Sequence, residues 1–157
     1  MASCVRFYIL PDSQQEARWW FACRLAAKCW HQRLGCHIQL PDQAQLEQMD
    51  ALLWSFREDS FLPHALAGAD GAPEPVVLGC TPDPVIDGSR ILINISDRLL
   101  ENSQQASSIV EIVVQDPVLL PQARSRLRLY KKAGFDVRCI RVSPQREGGS
   151  MPTATSE

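Results

Sequence analysis

The order of its short apolar runs constrains this chain more than any other feature. Residues 5–10 form a mostly apolar run closed by Pro11-Asp12, which reads as a strand. Residues 14–34 carry Trp20, Cys23, Leu25, Ala27 and Trp30 at helical intervals, and Gly35 follows where helices commonly stop. Ser13, with Glu16 three residues on, offers a capping box for that helix. Residues 36–40 read as a second strand. Asp42 then caps a second helix containing Leu46, Met49, Leu52 and Leu53. Strand, helix, strand, helix in this order favours parallel strands joined by right-handed helical crossovers.

The rest of the chain extends the pattern. Residues 56–75 hold Pro63, Gly68, Gly71, Pro73 and Pro75 and read as loop with at most short structure. Residues 76–80, 90–95 and 109–114 read as strands, the last rich in β-branched side chains. A turn-rich connection over 81–89 joins the first two of these. A helix is expected over 118–133, ended by Gly134, and a final strand over 135–142. Residues 143–157 are rich in Pro, Gly, Ser and Thr and read as a flexible tail. The expected fold is therefore α/β. It is a single domain over 1–142, with a mostly parallel open sheet flanked by helices. At 157 residues the chain has the length of one domain and needs no disulfide or metal to fold.

Several chemistries are excluded. A nucleotide-binding α/β sheet needs glycines after its first strand, so that backbone can approach a phosphate at the helix N-terminus. Here the turn reads Leu10-Pro11-Asp12-Ser13-Gln14-Gln15. It has no glycine, Pro11 removes a donor and Asp12 repels phosphate, so no phosphate-binding loop is expected. Neither a Walker motif nor a Gly-x-Ser-x-Gly elbow occurs. Ser60 and His64 lie close in sequence but lack an evident orienting acid, and Asp83 and Asp87 sit in a turn-rich stretch that accounts for them. Cys29, His31, Cys36 and His37 follow no common zinc spacing. The six cysteines are expected to be reduced and mostly buried. No metal and no cofactor is expected. No apolar stretch is long enough for a membrane helix, and the start, Met1 to Arg6, lacks signal-peptide character, so the expected location is the cytoplasm.

Two features stand out against this background. Half of the 16 Lys and Arg residues fall between Gln122 and Arg146, although the whole chain carries a net charge of −2. Arg124, Arg128 and Lys131 share a helical face, beside an apolar stripe of Ala123, Leu127 and Tyr130. The plain reading is a solvated helix whose cations favour its C-terminal dipole. The functional reading is an anion site, in which cations beside an apolar strip hold an acidic peptide with a hydrophobic residue. Direct binding of single-stranded nucleic acid is a weaker reading, because only Tyr130 and Phe135 supply stacking surface there. The second feature is Trp54, Phe56 and Phe61 around the irregular middle segment. These rings either cap the core or anchor a protein interface.

At these residues the sequence resembles the chi subunit family of bacterial DNA polymerase III holoenzyme, over about residues 5–142. The resemblance rests on the opening strand Arg6-Phe7-Tyr8-Ile9-Leu10 and on Leu53-Trp54 followed by Ser60-Phe61-Leu62-Pro63-His64 and Gly68. It rests also on Ile91-Leu92-Ile93-Asn94-Ile95 and on an Arg-rich helix leading through Tyr130 and Gly134 to Phe135. It implies a non-enzymatic accessory of the replicative clamp loader that pairs with a psi subunit. It also implies a grip on the acidic C-terminal tail of single-stranded-DNA-binding protein and, in some members, partnership with an XPD-like helicase. Carried over by position, tail binding falls on Arg124, Leu127, Arg128 and Lys131. Some relatives have tyrosine at the Leu127 position. The partner interface, for psi or a helicase, falls on Trp54, Phe61, Pro63 and His64. The rival reading is a degenerate α/β enzyme that binds nucleotide or nucleic acid, against which stand the glycine-poor first turn and the lack of clustered carboxylates.

Overall fold

A computed structural model describes residues 4–55, 64–66, 75–82, 84, 86–100, 102–143 and 154–156. The described residues form eight strands and three α-helices, of which the helices and six of the strands follow the expected order. They are β1 (Cys4–Ile9), α1 (Gln15–His31), β2 (Gly35–Gln39), α2 (Gln43–Ser55), β3 (His64–Leu66) and β4 (Val76–Gly79). Then come β5 (Arg90–Asn94), β6 (Ser108–Val113), α3 (Leu119–Lys132), β7 (Asp136–Val142) and β8 (Ala154–Ser156). The strands form one sheet in the order β3-β4-β2-β5-β6-β1-β7-β8. Strands β1 to β7 are parallel, and β8 adds antiparallel to β7. The fold is α/β, as the order of apolar runs requires.

Two cores lie on opposite faces of the sheet, because successive strand residues point to opposite sides. On one face α1 and α2 bury Phe21, Ala26, Leu46 and Met49 against Ile38, Ile93 and Ile112. On the other, α3 buries Ala123 and Tyr130 against Val5, Phe7, Ile109 and Val113. Strand β6 serves both, with Val110 and Ile112 facing α1 and Ile109 and Val113 facing α3.

The helix ends depart from the sequence reading in instructive ways. Helix α1 stops at His31, and Gly35 begins β2 instead of ending the helix. The left-handed residue is Arg33, with φ 60°. Leu34 N–H donates to the Cys29 carbonyl at 2.8 Å and Arg33 N–H to Trp30 at 3.0 Å. That is a Schellman closure made without glycine. Helix α3 closes the same way with the favoured residue, Gly134 at φ 96°, where Phe135 N–H donates to the Tyr130 carbonyl at 3.1 Å. At the other end of α1 the cap is Gln14, without a side-chain hydrogen bond, so the expected Ser13 capping box does not form. Asp42 does cap α2, accepting from Gln45 N–H at 2.8 Å. For α3 the cap is Asp116, whose carboxylate accepts from Leu119 and Val118 N–H at 2.9 and 2.8 Å. Those two bonds hold its carboxyl below the usual range. Two short strands lie in segments read as loop or tail: β3 within 56–75, and β8 within 143–157.

One buried polar cluster ties α3 to the sheet. Glu111 on β6 is fully buried and faces α3. Its carboxylate accepts from Arg126 Nε at 3.2 Å, from Tyr130 Oη at 2.9 Å and from Asn94 Nδ2 at 2.9 Å. Arg126 Nη2 also lies 3.1 Å from Glu111 Oε1. Burial pushes the Glu111 carboxyl up, and Arg126, Tyr130 and Asn94 oppose that push. Asn94 continues the cluster by donating to the Arg98 carbonyl at 2.7 Å, while its Oδ1 accepts from Ser96 Oγ at 2.5 Å. On the opposite face Arg18 of α1, 1% exposed, pairs with Asp97 at 2.8 Å. The turn after β5 is thus clamped from both sides.

Two stability outcomes follow. Arg33→Gly should raise stability by about 1 kcal/mol, because a side chain in left-handed backbone costs about that much; chemical denaturation that shows no gain would contradict the closure described. Glu111→Gln should cost about 3–5 kcal/mol by leaving the Arg126 charge buried without its counterion. The triple change Glu111→Leu, Arg126→Met, Tyr130→Phe should recover most of that loss, measured in the same denaturation series.

Candidate functional site

The carboxyl ends of the parallel strands are where this fold can hold a ligand. Helix α1 leaves β1 on one face and α3 leaves β6 on the other. In open α/β sheets such a reversal leaves a crevice outside the strand ends. The turn after β1 is fixed there by backbone and side chain alike. Leu10 N–H donates to the Val113 carbonyl at 2.8 Å, and Gln115 N–H to the Asp12 carbonyl at 2.8 Å. Gln115 Nε2 also donates to the Leu10 carbonyl at 3.1 Å.

A cleft of about 520 Å³ opens at this place, between α3 and the ends of β1, β6 and β7. That volume suits a small ligand or a short peptide segment. Its floor is apolar: Phe7, Ile9 and Val113 from the sheet, with Leu120, Ala123 and Leu127 from α3. Arg124 and Arg141 line it as well, one on α3 and one on β7. An apolar slot with guanidinium groups beside it can seat a hydrophobic side chain and hold a nearby carboxylate.

Of the four residues singled out on the basic helix, Arg124 and Leu127 line the cleft. Arg128 and Lys131 are exposed on α3 but do not line it. Arg126, counted in the sequence among the basic residues of this stretch, points inward to Glu111 and is structural. Its role was foreshadowed by spacing, since it lies between Ala123 and Tyr130 on the helix face that faces the sheet. Arg141 was not singled out as a site residue. The period-two alternation Val137, Cys139, Arg141 on β7 is the signal that could have found it.

The second candidate surface lies on the face of α1 and α2. Trp54, near the end of α2, is 59% exposed. Its ring lies 4.8 Å from that of His64 on β3, tilted by 59°. His64 Nε2 is 2.9 Å from Asp50 Oδ1, one helical turn before Trp54. The fold thus assembles Trp54, His64 and Asp50 at the β3 edge of the sheet. Phe61 and Pro63, expected at the same surface, lie outside the described residues, as does Ser60.

Of the remaining candidates, Asp83 lies outside the described residues, and His37, Asp87 and the cysteines have structural surroundings. His37 is buried, and burial lowers its pKa. Its Nε2 lies 2.9 Å from Gln39 Oε1, and Gln39 Nε2 donates to the Thr81 carbonyl at 2.6 Å. A Cβ at Gly79 would meet both His37 Nε2 and Gln39 Oε1 at 3.0 Å, so a larger residue there would push against this pair. Asp87 accepts from Ser89 N–H and Oγ at 2.9 and 2.8 Å and shapes the turn before β5. The cysteines carry no disulfide, and burial pushes the Cys23 thiol up to about 12. Among the described residues no group of three or more His, Cys, Asp or Glu is placed to hold a metal ion.

Comparison with known proteins finds relatives along most of the chain. The model of the family described as DNA polymerase III chi subunit, HolC, matches residues 2–138. The DNA polymerase III subunit chi of Pseudomonas aeruginosa is 36% identical over 138 residues, covering 88% of this chain and 96% of the relative. The subunit of the same name from Haemophilus influenzae is 28% identical over 138 residues, covering 87% and 96%. The one from Escherichia coli is 29% identical over 119 residues, covering 73% and 79%.

Proposed function

The chain belongs to the DNA polymerase III chi subunit family, and from that premise we propose that it is a non-catalytic accessory subunit of the clamp-loader assembly. In this reading it works in the cytoplasm and joins the polymerase, through psi, to the acidic C-terminal tail of single-stranded-DNA-binding protein. The observation that carries the proposal is the cleft beside α3. An acidic peptide ending in an aromatic residue needs an apolar slot and neighbouring cations. Leu127 and the β1 floor supply the slot, and Arg124 stands beside it. Arg128 and Lys131 lie further along the exposed face of the same helix and would attract the acidic residues upstream. No step of catalysis is assigned to any residue.

The Trp54–His64 surface is the proposed docking site for psi or an XPD-like helicase, together with Phe61 and Pro63 beside it in sequence. An exposed tryptophan held against a histidine ring, itself tethered to Asp50, is a rigid apolar anchor of the kind that dominates protein interfaces. The two surfaces sit on opposite faces of the sheet, so the chain can hold both partners at once.

Calorimetric titration with a synthetic acidic peptide ending in phenylalanine tests the first interface. Arg124→Ala should weaken binding about tenfold or more, since a charge-assisted hydrogen bond contributes roughly 1.5–3 kcal/mol. Leu127→Asp should abolish binding by placing a like charge at the slot. Wild-type affinity should fall as salt rises. Binding that ignores both substitutions would refute the assignment. For the second interface, Trp54→Ala should remove co-purification with psi by about 2–4 kcal/mol of lost affinity, with an unchanged circular dichroism spectrum. Retained psi binding would place that partner elsewhere.

A further inference from the structure

We infer that the docking surface marked by Trp54 continues across the exposed face of α2 into a groove between α1 and α2, and that the segment of psi seated there is apolar and basic. This rests on the reading of Trp54 as a docking residue, and it names the chemistry of what docks. The spacing along α2 carries the continuity. Glu47, Ala51 and Trp54 follow one another at intervals of four and three residues, so they share one face of the helix. All three are exposed. Ala51 and Ser55 also form one wall of a groove of about 510 Å³. Glu16 and Trp19 of α1 form the other wall, and Trp19 and Leu52 are half-buried against the core beneath it. The Trp19 indole N–H is buried with no acceptor among the described residues, a donor that a backbone carbonyl of a seated segment would satisfy.

Charge selects the occupant. From its cap Asp42 through Ser55, α2 carries Asp42, Glu47 and Asp50 and neither Lys nor Arg. Glu16 adds a further carboxylate at the groove. Among the described residues Glu16 and Glu47 take part in no ion pair, whereas Asp50 lies 2.9 Å from His64. The cations of α1 leave these acids unbalanced: Arg18 is buried on Asp97, and Arg24 and Lys28 follow Glu16 by two turns or more. The surface is thus apolar at Trp54 and along Leu52, and acidic around both. A segment whose aliphatic or aromatic side chains are flanked by Lys or Arg complements it on both counts. Helix α3 has the reverse composition, with no acid between Leu119 and Lys132. A basic segment is therefore repelled from the α3 face and drawn to α2, while an acidic peptide is steered the other way. The sign of charge sorts the two partners between the two surfaces.

The test is a binding titration of the full chain over immobilised psi, at low and at high salt. Ala51→Lys, which places bulk and a like charge in the groove, should weaken binding about tenfold or more. Glu16→Gln combined with Glu47→Gln should weaken binding about threefold at low salt and flatten its salt dependence, because exposed ion pairs are weak and screened. Gln48→Glu adds a carboxylate to the groove wall and should tighten binding about threefold at low salt. Circular dichroism checks that these exposed helix positions leave the fold intact. If Trp54→Ala weakens binding while Ala51→Lys binds like wild type, the inference fails and the docking reading stands. It fails as well if Ala51→Lys weakens binding but the carboxylate variants leave affinity and salt dependence unchanged, because the seated segment is then not basic. If psi binds no form of the chain, or binds Trp54→Ala and Ala51→Lys as it binds wild type, the docking reading fails and the inference with it.

Discussion

The buried Glu111 carboxylate organises the half of the molecule that bears the cleft. It sits in a strand of apolar, β-branched neighbours, where an ionisable side chain is costly unless donors surround it. Arg126 and Tyr130 reach it from α3 and Asn94 reaches it from β5. Those contacts fix both the rotation and the height of α3 over the sheet. With Arg126 and Tyr130 turned inward, Arg124 and Leu127 are carried to the side where β1 and β7 end. The cleft is therefore a by-product of the ion pair: were α3 rotated by one residue, its cations would leave the floor. An apolar core alone would allow such slippage more readily than a directional cluster does.

The two candidate surfaces share this scaffold without sharing residues. Strand β6 packs α1 with one set of side chains and α3 with the other. The turn after β5 is held by Asn94 from the α3 side and by Arg18, through Asp97, from the α1 side. The surfaces lie toward opposite edges of the sheet, at β3 and at β7. The strands between them form one continuous hydrogen-bonded sheet, which sets the spacing of the two surfaces.

The sequence by itself determined the order of three helices and six strands and the mostly parallel α/β class. Each of these follows from local patterns: apolar runs and helical spacing. It also determined that cations cluster on the last helix, while the grouping of Trp54 with His64 was implied by the family resemblance. Helix ends were read less well. Gly35 was the natural stop for α1 by composition, yet the left-handed turn falls on Arg33, because β2 needs Gly35 in register with Arg90. Only the tertiary structure decided which cations are functional candidates. Arg126 and Arg124 are equivalent in composition and two residues apart, but a charge is committed to the core when a partner such as Glu111 waits in the strand beneath, 15 residues away in sequence. Arg141 is likewise ordinary in the sequence and acquires its place from pairing with Ile9. Periodicity names the face a side chain takes on its own element. Which surface that face meets depends on contacts between segments distant in the chain, and those exist only once the sheet is assembled.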